Sequence, residues 1–350
     1  MNRHAVIYAL MSAALFGLST PVAKLLLGDM TPALLAGLLY LGAGIGIAIV
    51  RRLMRGAVDA GKREAPLARA ELPWLAGAVV AGGIVGPLLL MLGLAVTEAS
   101  TASLLLTLEG VLTALIAWFV FKENFDRRIA LGMLFLLAGA LALSWTGQPT
   151  MTSVLGPLAI VGACLAWGLD NNLTRKVSLA DPLQIVEIKG LVAAPVNIAI
   201  GLWVGGTLPA LNPAVVAGVV GFLGYGVSLA LFVVAMRHLG AARTGAYFST
   251  APFIGSAAAV VVLAEPLSLQ LIAAGVLMAV GVWLHLTEQH DHLHTHEPMA
   301  HTHAHVHDEH HQHAHGPDDP PGEPHTHYHR HDRMTHSHPH VPDMHHTHTH

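Results

Sequence analysis

Along most of this chain apolar residues come in long unbroken runs separated by short polar connections. The runs cover residues 5–27, 32–53, 73–96, 99–121, 128–145, 154–172, 183–205, 213–236, 242–263 and 267–286. Each approaches or reaches the roughly 20 residues that an α-helix needs to cross the hydrocarbon core of a bilayer. Lipid offers no hydrogen bonds to an unpaired backbone, so such runs must be helices or strands of a closed barrel. Barrel strands alternate apolar and polar residues over about ten positions, and these runs do not alternate. The pattern predicts an all-α membrane protein of ten transmembrane helices.

The runs also repeat. Phe16-Gly17-Leu18-Ser19-Thr20 and Lys24 line up with Trp167-Gly168-Leu169-Asp170-Asn171 and Arg175 at an offset of 151. The stretch from Ala99 through Glu123 to Gly139 lines up with Ala241 through Glu265 to Gly281 at an offset of 142. Five spans per copy is an odd number, which forces the second copy to enter the membrane from the opposite side. Inverted-topology repeats of this kind build alternating-access carriers whose site lies near the midplane where the halves meet. The expected organisation is a first five-helix repeat in residues 1–147, a second in 148–286, and a separate tail in 287–350.

Composition agrees with burial in lipid. The chain is 53% hydrophobic and only 11% charged, against about 25% charged in soluble domains. Basic residues fall on alternate connections: Arg51, Arg52, Arg55, Lys62, Arg63 and Arg69 after the second span, then Lys122, Arg127 and Arg128, Arg175 and Lys176, and Arg237 and Arg243. Connections 28–31, 147–153 and 206–212 contain no Lys or Arg. The positive-inside rule then puts both termini in the cytoplasm, with Lys24 the main exception. The first span resembles a secretory signal only superficially, because its Phe16-Gly17 and Lys24 recur in the sixth span. Cys164 is the single cysteine, so no intrachain disulfide forms.

After Leu286 the composition changes abruptly. Of 26 histidines, 23 lie between His290 and His350, mostly as His-x-His. Several prolines and few apolar residues predict a tail that is disordered without a ligand. Neutral imidazole suits nickel, zinc and cobalt, and scarce Cys and Met argue against copper(I). The candidate ligands are His290, His292, His294, His296, His301, His303, His305, His307, His310, His311, His313, His315, His325, His327, His329 and His331. No fixed spacing matches a closed structural site, so many weak, exchanging sites are expected.

Polar residues within the spans mark a pathway. Glu109 sits ten residues into the fourth span, where a lone charge costs roughly 2.5–3.5 kcal/mol on insertion scales. It should face a cavity or a partner, and it is the candidate proton carrier; a structural carboxyl is the competing reading. Glu109-Gly110 is matched by Ala251-Pro252 in the second copy, and helix-weakening residues at equivalent places point to a transporter site. Asp170-Asn171-Asn172 closes the sixth span and can bind a cation or a polar solute, or cap a helix end. Lys189 either snorkels to the surface or pairs with Asp170 or Glu109. Trp167 and Phe16 occupy matching positions, where core packing competes with a cavity-lining role, and Tyr247 is a further candidate. Phosphate-cradling loops, zinc-protease helices and nucleophile elbows are absent from the sequence, so an enzyme is not expected.

The duplicated five-span unit resembles the EamA family of the drug/metabolite transporter superfamily. The resemblance rests on Phe16-Gly17 and Trp167-Gly168 early in each unit, Pro252 in the ninth span, and Glu123 and Glu265 at the ends of the fourth and ninth spans. It covers everything before the tail and implies an inner-membrane carrier of small molecules, often outward. Three functions follow as expectations. The first is a secondary transporter of a small polar metabolite, proton-coupled through Glu109 and modified by its metal-binding tail. The second is a divalent-metal transporter, and the third a membrane-anchored metal buffer or sensor. The expected partners are lipid, substrate, divalent metal and a second copy in a homodimer, with no nucleic acid; no cofactor is required.

Overall fold

A computed structural model describes residues 3–57, 65–120, 127–145, 151–177 and 180–286, and in the tail 290–296, 299–305, 325–331 and 334–340. The first half holds α1 (Arg3–Leu26), α2 (Pro32–Ala57), a 3₁₀ turn (Arg69–Glu71), α3 (Leu72–Ala78), a π-helical segment (Val79–Val85) and α4 (Gly86–Val96). It continues with α5 (Ala99–Leu105), α6 (Leu108–Phe119) and α7 (Arg127–Ser144). The second half holds α8 (Met151–Arg175), α9 (Pro182–Trp203), α10 (Leu211–Gly221), a second π-helical segment (Phe222–Val227), α11 (Ser228–Phe248), α12 (Ala251–Val262) and α13 (Leu269–Leu286).

Seven described spans are long and apolar enough to cross a membrane: His4–Leu26, Pro32–Met54, Arg69–Val96, Ala99–Phe119, Val154–Arg175, Pro182–Trp203 and Leu211–Ala235. The expected fifth, ninth and tenth spans correspond to shorter apolar helices, Ala130–Ser144, Ala251–Val262 and Leu269–Leu284. Large apolar side chains such as Leu134, Leu141, Leu158, Val192, Val219 and Val276 are exposed on the outside of the bundle, as a lipid-facing surface requires.

The two halves interlock. α2 packs on α9 and α7 on α13, each pairing a helix with its counterpart from the other copy, and α5 packs across the halves on α12. α1 lies against α11 as α8 lies against α4, so these pairs exchange under the same pseudo-two-fold relation. Glycines set the closest approaches. A Cβ on Gly17 would strike the Ala251 carbonyl, and one on its counterpart Gly168 would sit 3.0 Å from the Thr113 nitrogen. The Phe-Gly and Trp-Gly pairs therefore let α1 and α8 lie directly on the half-helices α12 and α6.

Two expectations need correction. The connection expected between spans 213–236 and 242–263 is helical instead: α11 runs on to Phe248, and the next helix starts at Ala251. The stretch from Met236 to Phe248 contains no proline, and its three Ala and two Arg favour continued helix against the weaker cost of its two Gly. In the first copy the chain breaks at Thr97, whose backbone is extended, before α5 begins. The tail also departs from disorder. β1 (His290–His296) pairs antiparallel with β4 (Met334–His340), and β2 (Met299–His305) with β3 (His325–His331), so the described strands all lie in the tail. His-x-His has the two-residue period of a strand, which composition alone overlooked. The register sets His292 opposite His338 and His301 opposite His329. Of the expected metal ligands, His307, His310, His311, His313 and His315 lie outside the described residues, as does the landmark Glu123.

Candidate substrate site

The fourth and ninth spans are both interrupted midway. A turn at Leu106–Thr107 separates α5 from α6, and a turn at Ser249–Thr250 separates α11 from α12. The offset of 142 maps one break onto the other to within one residue. Each break falls just before the residues singled out from sequence: Glu109 and Gly110 lie in the first turn of α6, and Ala251 and Pro252 open α12. Half-helix ends at the middle of a bundle are where transporter folds place ligands.

Around the first break the structure gathers most of the sequence-nominated polar residues. Asn171 Nδ2 donates to Glu109 Oε1 at 2.8 Å and to Thr113 Oγ1 at 3.2 Å. Both groups stay accessible, Asn171 exposed and Glu109 partly so. Asn172 has a structural task, donating to the Thr113 and Gly168 carbonyls at 3.1 and 2.8 Å, which ties α8 to α6. Asp170 faces another way. Lys189 Nζ lies 2.6 and 2.7 Å from its two carboxylate oxygens, and Thr174 Oγ1 donates to it at 2.8 Å. Lys189 is 5% exposed and Asp170 7%. Lys189 is thus a buried ion-pair partner and does not snorkel.

Beneath this pair runs the first π-helical segment. A π turn closes its hydrogen bonds one residue later than an α turn and so disturbs the regular backbone ladder. Here the Gly82 carbonyl accepts from Tyr40 Oη at 2.6 Å and Trp167 Nε1 at 3.0 Å, and the Gly83 carbonyl from Asn197 Nδ2 at 2.9 Å. A Cβ on Gly82 would overlap the Asp170 carboxylate, so only glycine lets the ion pair lie on this helix. The second π segment occupies the equivalent place in the other copy, and there Gly224 approaches Ser19.

Aromatic rings complete the wall. Phe16 packs against Trp167, Tyr225 and Phe248 with centroids 6.1, 5.7 and 5.5 Å away, and Tyr40 lies 5.7 Å from Tyr225. Trp167 is one helical turn before Asn171, so ring and amide share a face of α8. Tyr247 is not part of this group; it packs with the small cluster of Ala5, Ala9 and Ala235. Pro252 is buried in the first turn of α12. Thr113, Thr174, Gly82, Tyr225 and Phe248 were not nominated from sequence. Thr113 and Thr174 stand four residues after Glu109 and Asp170, a helical spacing that would have found them.

A second polar feature explains Lys24. Its Nζ donates to the Leu94 and Thr97 carbonyls at 2.6 and 2.8 Å, at the C-terminal end of α4. Glu265 accepts from the Ala99 and Ser100 amides at 2.7 and 2.8 Å, at the N-terminus of α5. A cation thus caps a helix end and an anion a helix start, the favourable sense for both helix dipoles. At another connection Arg51 donates to Asp181 and Glu187 at 2.8 and 2.7 Å, and Asp181 also caps α9 through the Leu183 and Gln184 amides. Among the described residues no group of three or more His, Cys, Asp or Glu is placed to hold a metal ion.

An interlocked duplicated bundle, lipid-facing outside and polar at paired helix breaks inside, defines a membrane transporter. The EamA-like transporter family matches this chain twice, over residues 3–145 and 154–287, and the chain belongs to that family. It is 28% identical over 281 residues to an uncharacterized transporter of Methanothermobacter thermautotrophicus, covering 77% of this chain and 82% of that protein. It is 25% identical over 175 residues to the uncharacterized transporter YyaM of Bacillus subtilis, covering 47% and 57%. A solved crystal structure 18% identical in sequence shares the fold, with a TM-score of 0.60 over 81% of this chain and 96% of that one.

Proposed function

We propose that this protein is a secondary carrier exporting a small polar solute across an inner membrane. Ten helices, in two oppositely oriented halves, alternate access to a site at the breaks of the fourth and ninth spans, with both termini cytoplasmic. The observation that carries this reading is the matched interruption before Glu109 and before Ala251, because broken helices at equivalent places in two repeats are the mark of a transport site. Glu109, accessible and hydrogen-bonded to Asn171, is the group that takes up and releases a proton during the cycle. The Asp170–Lys189 pair sets the geometry of α8 against α9. The tail binds nickel, zinc or cobalt through its histidines and acts on the carrier from outside the pathway. Metal as the transported species finds no support among the described residues, which hold no such ligand cluster.

Reconstitution tests this reading. Purified full-length protein and a form lacking residues 287–350 are placed in liposomes with an imposed pH gradient. Accumulation of an organic solute that needs Glu109 and survives removal of the tail is the expected result. Metal flux through the tail-less protein, with no organic solute moved, would sink the proposal.

A further inference from the structure

Resting on the reading that the tail binds divalent metal, the strand register says where an ion sits. In β1 and β4 the histidines that face each other are His290 and His340, His292 and His338, and His294 and His336. In β2 and β3 they are His301 and His329, His303 and His327, and His305 and His325. Residues two apart share a face of a strand, and facing residues of an antiparallel pair share it too. Each ribbon therefore gathers three histidine pairs on one face, with spacers such as Leu293, Ser337, Thr302 and Tyr328 on the other. A slip of one residue would set every one of these histidines against a spacer.

Pro339 fixes the geometry of the first ribbon further. It has no N–H, so its pair with Asp291 is the kind that exchanges no hydrogen bonds, and the histidine pairs beside it are the bonded kind. Bonded partners lie about 5.5 Å apart at Cα, against roughly 6.8 Å for residues two apart on one strand. Two imidazoles that must each reach an ion at about 2.0–2.1 Å thus meet more readily across the ribbon than along it. The remaining facing pairs, His296 with Met334 and Met299 with His331, replace one imidazole by a softer thioether. Among the described residues no group of three or more His, Cys, Asp or Glu is placed to hold an ion. Each ion therefore takes one facing pair and completes its coordination with water.

We propose that the tail's metal sites are these cross-strand histidine pairs, each taking one nickel, zinc or cobalt ion that fastens two strands together. His336, His338 and His340 thereby join the ligand set. A two-stranded ribbon on its own is marginally stable at best in water, and metal bound by ligands that folding brings together stabilises the fold itself. The ion decides whether the tail is a ribbon, so the tail changes shape with the metal supply.

Full-length protein carrying Leu293→Cys and Ser337→Cys, labelled with nitroxide in detergent, gives the test. These positions face each other in β1 and β4, and the native Cys164 is fully buried and stays unlabelled. Zinc, which is diamagnetic, is added and then withdrawn with EDTA. The expected result is dipolar broadening that appears with zinc and is lost with EDTA. It should be absent from a Leu293→Cys, Thr326→Cys comparator, whose labels lie in different ribbons. His336→Ala, His338→Ala and His340→Ala together should abolish it. The same number of losses at His345→Ala, His346→Ala and His348→Ala, outside the described residues, should not. Equilibrium dialysis of the same samples counts bound zinc and separates the two claims. Zinc held by the tail without broadening refutes the cross-strand sites and keeps the tail as a metal binder. Zinc bound no better than by protein lacking residues 287–350 refutes both. Broadening at full strength before zinc is added, broadening in the comparator, or broadening that survives loss of His336, His338 and His340 overturns the inference as well.

Discussion

The Asp170–Lys189 pair invites a double-mutant cycle. Lys189 Nζ touches both carboxylate oxygens at 2.6 and 2.7 Å, and the side chains are only 6% and 10% exposed. Removing one member of a buried pair leaves the other charge uncompensated, at about 3–5 kcal/mol. Replacing both with neutral groups removes that penalty, and the outcome is often close to neutral. Asp170→Asn and Lys189→Met should each lower the unfolding temperature by about 6–20 °C, taking the roughly 2–4 °C per kcal/mol of large domains. The double variant should recover most of the loss. Cys164 supplies the assay: it is the lone cysteine and fully buried, so a thiol-reactive fluorogenic maleimide reports unfolding with no engineered label. Single variants as stable as the parent, or a double variant no better than the worse single, would refute the claim that these groups exist for each other.

Two further outcomes follow from the geometry. Glu265→Gln weakens the cap on the Ala99 and Ser100 amides and should destabilise the fold by about 0.5–2 kcal/mol, with limited proteolysis at residues 97–98 as the readout. Tail-bound nickel should be retained at pH 7.5 and released as pH falls below about 6.5, because protonated imidazole cannot ligate; equilibrium dialysis of full-length and tail-less protein measures this, and retention at pH 5 would contradict imidazole ligation.

Much of the architecture could be read from the chain because lipid imposes a coarse rule. A helix that crosses must be long and apolar, so the runs and their duplication stand out, and a carboxylate such as Glu109 in one of them is conspicuous. The partner of Lys189 could not be read, since Asp170 and Glu109 were both within reach of a flexible side chain on another helix. Gly82 passed as one packing glycine among many, because what distinguishes it is the Asp170 carboxylate brought by α8. Continuation of α11 past Met236 was hidden by basic residues that resemble a loop. Lys24 looked misplaced for the positive-inside rule until the carbonyls at the end of α4 accounted for it. The tail was judged by what it lacks, and its two-residue period went unused.

The paired π segments carry a historical consequence. Val79–Val85 and Phe222–Val227 end at residues related by the same offset that aligns Ala99 with Ala241. Each holds an additional residue within its turns relative to an α-helix, which changes the facing of everything after it in the span. Two independent insertions at one spot are a less economical history than a single insertion in an ancestor half this size. An irregularity of that origin is older than the duplication, and the second copy received it ready-made.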